Sequence, residues 1–158
     1  MIFHKHKFIY IKTEKTAGTR LKVALSKFCG KDDIITPISS KDEKIRSDFG
    51  FLGAQNYVIP FSTYSAADFV RALIRKKRLR FENHCPAAFV KKYIGKEIWD
   101  SYFKFSVERN PWDKVISFYY WIVRNQKEPK LSLSEFIEQG RAFDIKGLVF
   151  IQLTTESP

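Results

Sequence analysis

The run Lys12-Thr13-Glu14-Lys15-Thr16-Ala17-Gly18-Thr19-Arg20 follows the apolar tetrad Phe8-Ile9-Tyr10-Ile11 and constrains the chain more than any other stretch. Four β-favouring residues followed by small, hydroxyl-bearing ones read as a buried first strand. That strand runs through a turn into a helix that opens near Thr19. Such a turn aims several backbone N–H groups and a helix N-terminus at one spot, which favours an anion. Lys15 can reach the same anion, and Thr16 and Thr19 add hydroxyl donors. The order is not a Walker A loop, because residues 9 to 14 lack the leading Gly that motif requires. An ordinary capped helix start is the alternative reading.

Charge points the same way. In 158 residues there are 28 Lys and Arg against 17 Asp and Glu, a formal net charge of +11. An excess of that size predicts an anionic partner without choosing among nucleotide, nucleic acid, acidic glycan and lipid headgroup. The length fits one domain, residues 1–158, and the 16% aromatic share predicts a core assembled around rings. Cys29 and Cys85 have neither metal spacing nor a disulfide framework, so they read as free, buried thiols of a reducing compartment. Met1 to Lys7 contains no apolar signal region, and the apolar run Val115 to Val123 is shorter than the roughly 20 residues of a membrane span. The expectation is a soluble, cytoplasmic chain.

Helical spacing predicts a first helix over Thr19–Phe28 with Leu21, Ala24, Leu25 and Phe28 inward and Arg20 and Lys22 off that face. Cys29-Gly30 ends it. From Lys31 to Ser65 the period is lost, with a short-strand candidate at Asp33–Thr36 and an ambiguous stretch at Tyr57-Val58-Ile59. A helix follows over Ala66–Lys77, its stripe formed by Phe69, Val70, Leu73 and Ile74. It enters the basic run Arg75-Lys76-Lys77-Arg78-Leu79-Arg80, which reads as a solvated helix end, a polyanion surface or a nuclear-type address. Pro86 opens another helix, weakened at Gly95. Tyr102–Val107 alternates and predicts a second buried strand. Asn110 and Pro111 mark a helix start, and Ser132 with Glu135 marks a further short one.

A second constellation pairs Arg109, at the end of the second strand, with Ser117. Ser117 lies six residues past Pro111, roughly 9 Å along the helix at about 1.5 Å per residue. Both can face one phosphate on the helix flank, although Ser117 alone is as well explained as a neutral helix hydroxyl.

Lys15-Thr16-Ala17-Gly18-Thr19 after Phe8–Ile11 resembles the 5′-phosphosulfate loop of the sulfotransferases that use 3′-phosphoadenosine 5′-phosphosulfate (PAPS). The carbohydrate-type branch is the nearer likeness. Phe105 to Ser117, with Arg109-Asn110-Pro111-Trp112-Asp113-Lys114, is similar to that family's 3′-phosphate motif. His84-Cys85-Pro86 resembles the His-led segment before its middle helix. Glu14 stands where the family usually has Pro, and Arg20 where it usually has a small hydroxyl residue.

The resemblance implies an α/β, P-loop-like three-layer fold with a central, mainly parallel sheet flanked by helices. It implies transfer of a sulfuryl group from PAPS to a hydroxyl, with a carbohydrate as the expected acceptor and no metal. Lys15 would be catalytic at the bridging oxygen, and His84 is the candidate general base. Lys15, Thr16, Ala17, Gly18, Thr19, Arg20, Arg109 and Ser117 would bind the donor. Nucleic acid is not an expected partner. The chain stops at Pro158, earlier than such a fold suggests, which reads as a fragment or a C-terminally shortened member. The competing readings are a catalytically silent anion- or nucleotide-binding module and a nucleotide kinase with an unusual loop.

Overall fold

A computed structural model of the chain describes residues 1–124, 126 and 130–145. The chain divides into two compact units, one of Met1–Lys12 with Gly18–Val107, the other of Thr13–Ala17 with the chain from Glu108 onward.

The first unit carries a three-stranded sheet, β1 (Ile2–Phe3), β2 (Phe8–Tyr10) and, far along the chain, β3 (Phe103–Phe105), in the order β1-β2-β3. β1 and β2 form an antiparallel hairpin with Ile2 opposite Ile9, and β2 pairs in parallel with β3, Tyr10 opposite Phe105. Between β2 and β3 lie α1 (Gly18–Ser26), α2 (Ser40–Asp48), α3 (Ala66–Arg75), α4 (Ala87–Ile94) and α5 (Lys96–Ser101). The main core gathers Ile2, Ile9, Ile11, Ile59, Phe81, Val90 and Tyr93 around the first two strands.

The expected three-layer fold with a central, mainly parallel sheet is not what forms. Among the described residues only one pair of strands is parallel, and it is three residues long. The other strand candidates do not extend. Ile34 and Ile35 make isolated bridges to Ile2 and Gln55, and Val58 bridges Arg80. A parallel sheet needs long strands covered on both faces. Here Pro37, Pro60 and the polar run at 39–44 cut each candidate after a few residues. β3 is not a buried strand either, since Phe103 is exposed and Lys104 and Phe105 are half-buried.

Helix boundaries follow local chemistry. α2 lies in the stretch that had no hydrophobic period, with Ser39 as its N-cap accepting from the Asp42 amide. Gly95, at φ 87°, separates α4 from α5. In α3, Ser65 and Asp68 form a capping box, and Lys76 closes the helix in the left-handed region.

Two helices turn unexpected faces inward. α1 buries Gly18, Lys22, Val23 and Ser26 and leaves Ala24 exposed, and Phe28 just past its end is exposed as well. α3 buries Asp68 and exposes Phe69, Val70, Leu73 and Ile74. Asp68 accepts from Lys92 Nζ at 2.8 Å and Tyr93 Oη at 2.8 Å, both on α4, and from Ser65 Oγ at 2.7 Å. A carboxylate withdrawn from water needs such partners, and α3 takes its orientation from them.

The second unit contains α6 (Pro111–Val123) and α7 (Leu133–Glu138), with Phe118, Phe136 and Ile145 as its core. Asn110 caps α6 by accepting from the Trp112 amide, Pro111 is its first residue, and Ser132 caps α7 with Glu135 completing the capping box. The apolar run from Ala142 to Leu153 lies outside the described residues beyond Ile145.

The lysine, tyrosine and serine donors hold the Asp68 carboxyl below its usual 3.8, so their contribution is present above that value and lost as pH falls below it. Asp68→Asn is therefore expected to lower the melting temperature near neutral pH. The deficit should shrink as the wild type is acidified, and the amide protons of α3 should exchange faster.

Candidate functional site

The five residues Thr13–Ala17 connect β2 to α1 along the chain and belong to the second unit. Lys15 and Ala17 are left-handed, with φ of 60° and 56°, and Thr16 between them is not. Alternation of this kind turns successive N–H groups to one side, the nest geometry that suits an anion. Neither left-handed residue is glycine, so the loop holds strain. Thr16 is buried and its hydroxyl donates to the Thr13 carbonyl at 3.2 Å, which leaves its N–H as what it offers a ligand. The Lys15 ammonium lies 4.9 Å from the ring centre of Trp121 on α6. Burial lowers its pKa, with Glu14 opposing and Arg124 adding to the shift. Glu14 is half-buried rather than fully turned to solvent.

Arg109 and Ser117 fall in the same unit. Arg109 is exposed, just ahead of the α6 N-terminus, with Nε 3.8 Å from Asp113. Ser117 is half-buried in the middle of α6. Lys114 is buried and donates to Glu108 at 3.0 Å. The unit thus holds Lys15, Thr16, Ala17, Arg109 and Ser117 of the expected site.

Gly18, Thr19, Arg20 and His84 belong to the first unit. A Cβ on Gly18 would sit 2.8 Å from both Lys12 Cγ and Tyr10 Oη, so a side chain there would force Lys12 or the buried Tyr10 to shift. Thr19 accepts from Lys12 Nζ at 2.8 Å. Arg20 is exposed. His84 is exposed in the turn that precedes α4.

The residue beside His84 leads to what sequence reasoning missed. Asn83 Oδ1 accepts from Lys22 Nζ at 2.8 Å, and the same ammonium donates to the carbonyl and hydroxyl of Thr36. Lys22 is only 1% exposed. It draws α1, the segment at Thr36 and the turn carrying His84 to one buried point, with no carboxylate among those three acceptors. Burial first, then Lys12 and Arg46, lower its pKa from 10.5 to about 7. The available signal was the i, i+4, i+8 spacing of Gly18, Lys22 and Ser26, which puts the lysine on one helix face between two small residues. Trp121, the aromatic rest for Lys15, had no such signal.

Among the described residues no group of three His, Cys, Asp or Glu side chains gathers to hold a metal ion, and no helix is long and apolar enough to cross a membrane. Both cysteines are free. Burial pushes the Cys29 thiol up to about 12.

No protein-family model matches the chain, and no solved structure matches it. It is similar to an uncharacterized protein of Archaeoglobus fulgidus, 39% identical over 59 residues, which are 37% of this chain and 49% of the relative. The match thus spans about half the length of that relative.

A lysine whose pKa is about 7 folded and 10.5 unfolded destabilises the fold below the lower value, and the penalty is relieved as pH rises between the two. The melting temperature is expected to climb from neutral pH toward the ordinary thiol range, by at most about 1.4 kcal/mol of stability per pH unit. Lys22→Met isolates the lysine and should flatten the rise. A parallel pH profile in the variant would assign the slope elsewhere.

Proposed function

We propose that this chain transfers a sulfuryl group from PAPS to a hydroxyl acceptor, with a carbohydrate as the acceptor class. The observation that carries the reading is the strained, alternately left-handed loop at Lys15 and Ala17, in the same unit as Arg109 and Ser117. A nest of N–H groups with an adjacent lysine suits the 5′-phosphosulfate, and a guanidinium suits a phosphate dianion through paired hydrogen bonds.

In the proposed reaction the acceptor oxygen attacks sulfur in line and forms the new S–O bond. The bond from sulfur to the bridging oxygen breaks, and that oxygen leaves with the electron pair as the 5′-phosphate of 3′-phosphoadenosine 5′-phosphate (PAP). The Lys15 ammonium stabilises the charge growing on the bridging oxygen. Its pKa, lowered by burial, eases any proton donation to that oxygen. His84 takes the acceptor's proton, and Asn83, tied to Lys22, holds the turn on which His84 sits. The silent-module reading keeps the same loop and differs only in lacking turnover.

Titration calorimetry with PAP is expected to show micromolar binding that Arg109→Ala weakens by about tenfold or more, the usual cost of losing a hydrogen bond to a charged group. Absence of heat at low salt would overturn the donor assignment. With labelled PAPS and a panel of glycans, His84→Ala is expected to lower turnover by roughly 10²–10⁴-fold with PAP affinity retained. PAP binding with no transfer to any acceptor would instead leave a binding module.

A further inference from the structure

We propose that α3 is a docking surface for an anionic lipid bilayer, lying in the headgroup plane with its apolar ridge inserted. The helix is anchored to its unit by Asp68 and turns its large side chains outward, Leu73 being 79% and Ile74 75% exposed. Phe69 and Val70 extend the ridge, and Phe61, stacked on Phe69 at 6.0 Å, widens it into a groove of about 390 Å³. Burying such a ridge is favourable wherever a partner can cover it.

Charge selects the partner. From Phe69 to Phe81 the chain carries six cations, Arg71, Arg75, Lys76, Lys77, Arg78 and Arg80, and no acid. Lys76, Lys77 and Arg78 line the groove itself, and the Arg78 guanidinium sits 4.3 Å over the Phe61 ring. A second copy of the chain on this face would press two such runs together, which like-charge repulsion opposes. A polyanion without an apolar phase would leave Leu73 and Ile74 wet. An amphipathic helix with aromatic and aliphatic residues on one face and lysines and arginines beside them matches the interface of a bilayer bearing anionic headgroups. The inference stands apart from the PAPS reading, because it uses no residue of the loop at 13–17 or of α6.

The test is co-sedimentation of the full chain with vesicles of phosphatidylcholine alone or mixed with phosphatidylserine, at physiological salt. Expected is binding to the mixed vesicles at least about tenfold tighter than to the neutral ones. Leu73→Gln with Ile74→Gln, which leaves net charge unchanged, is expected to weaken the mixed-vesicle binding by about tenfold. Lys76→Gln with Lys77→Gln should weaken it as well. All four side chains are exposed, and circular dichroism checks that the variants keep their fold. Binding that survives Leu73→Gln with Ile74→Gln would reduce the interaction to bulk charge and overturn the proposal. So would no binding to the mixed vesicles, or a lipid-free dimer that the same pair of substitutions dissolves.

Discussion

Buried charge sets the orientation of the helices in the first unit. Lys22 on α1 and Asp68 on α3 are each nearly inaccessible to water. A charged group in that position must find hydrogen-bonding partners or cost several kcal/mol. Lys22 finds Thr36 and Asn83, and Asp68 finds Lys92, Tyr93 and Ser65. All of these partners except Ser65, the cap of the same helix, come from other parts of the chain, so those polar contacts also close loops. The apolar contacts then arrange themselves around helices whose rotation is already decided.

This is why hydrophobic periodicity located several elements and misjudged their faces. Local chemistry was legible: the Asn110 cap, Pro111 at the start of α6, the Ser132 capping box and the break at Gly95 are all present. In α4, where no charge is buried, Val90 and Tyr93 face the core as their spacing predicts. In α1 and α3 the apolar stripe is real, but a buried polar residue on the opposite side outweighs it. No one-dimensional pattern shows that Lys22 will meet Asn83 sixty-one residues later. Nor could the basic run after α3 be assigned before the ridge beside it was known to face outward.

The sheet failed as an expectation for a related reason. β2 is a genuine buried strand, with Ile9 and Tyr10 in the core, but a resemblance carried by two short motifs says little about the residues between them. Those residues supply one parallel partner, β3, and isolated bridges in place of strands. A large share of the first unit is held by helix packing and by loop contacts such as Gln55 donating to the carbonyls of Gly30 and Asp33.

The loop at 13–17 turns these observations toward function. Gly18 does not shape this loop: it lies in α1, where Tyr10 and Lys12 approach it closely. The left-handed positions are Lys15 and Ala17, where such backbone costs on the order of 1 kcal/mol or more each. The Thr13–Thr16 hydroxyl contact and the rest of Lys15 on Trp121 offset part of that. An anion accepted by the turned N–H groups would offset more. The same anion would draw the Lys15 ammonium off the ring, because a dianion attracts it more strongly than a quadrupole does. On the sulfotransferase reading, strain, cation and aromatic rest are then parts of one device, in which binding the donor moves Lys15 from Trp121 to the bond that breaks.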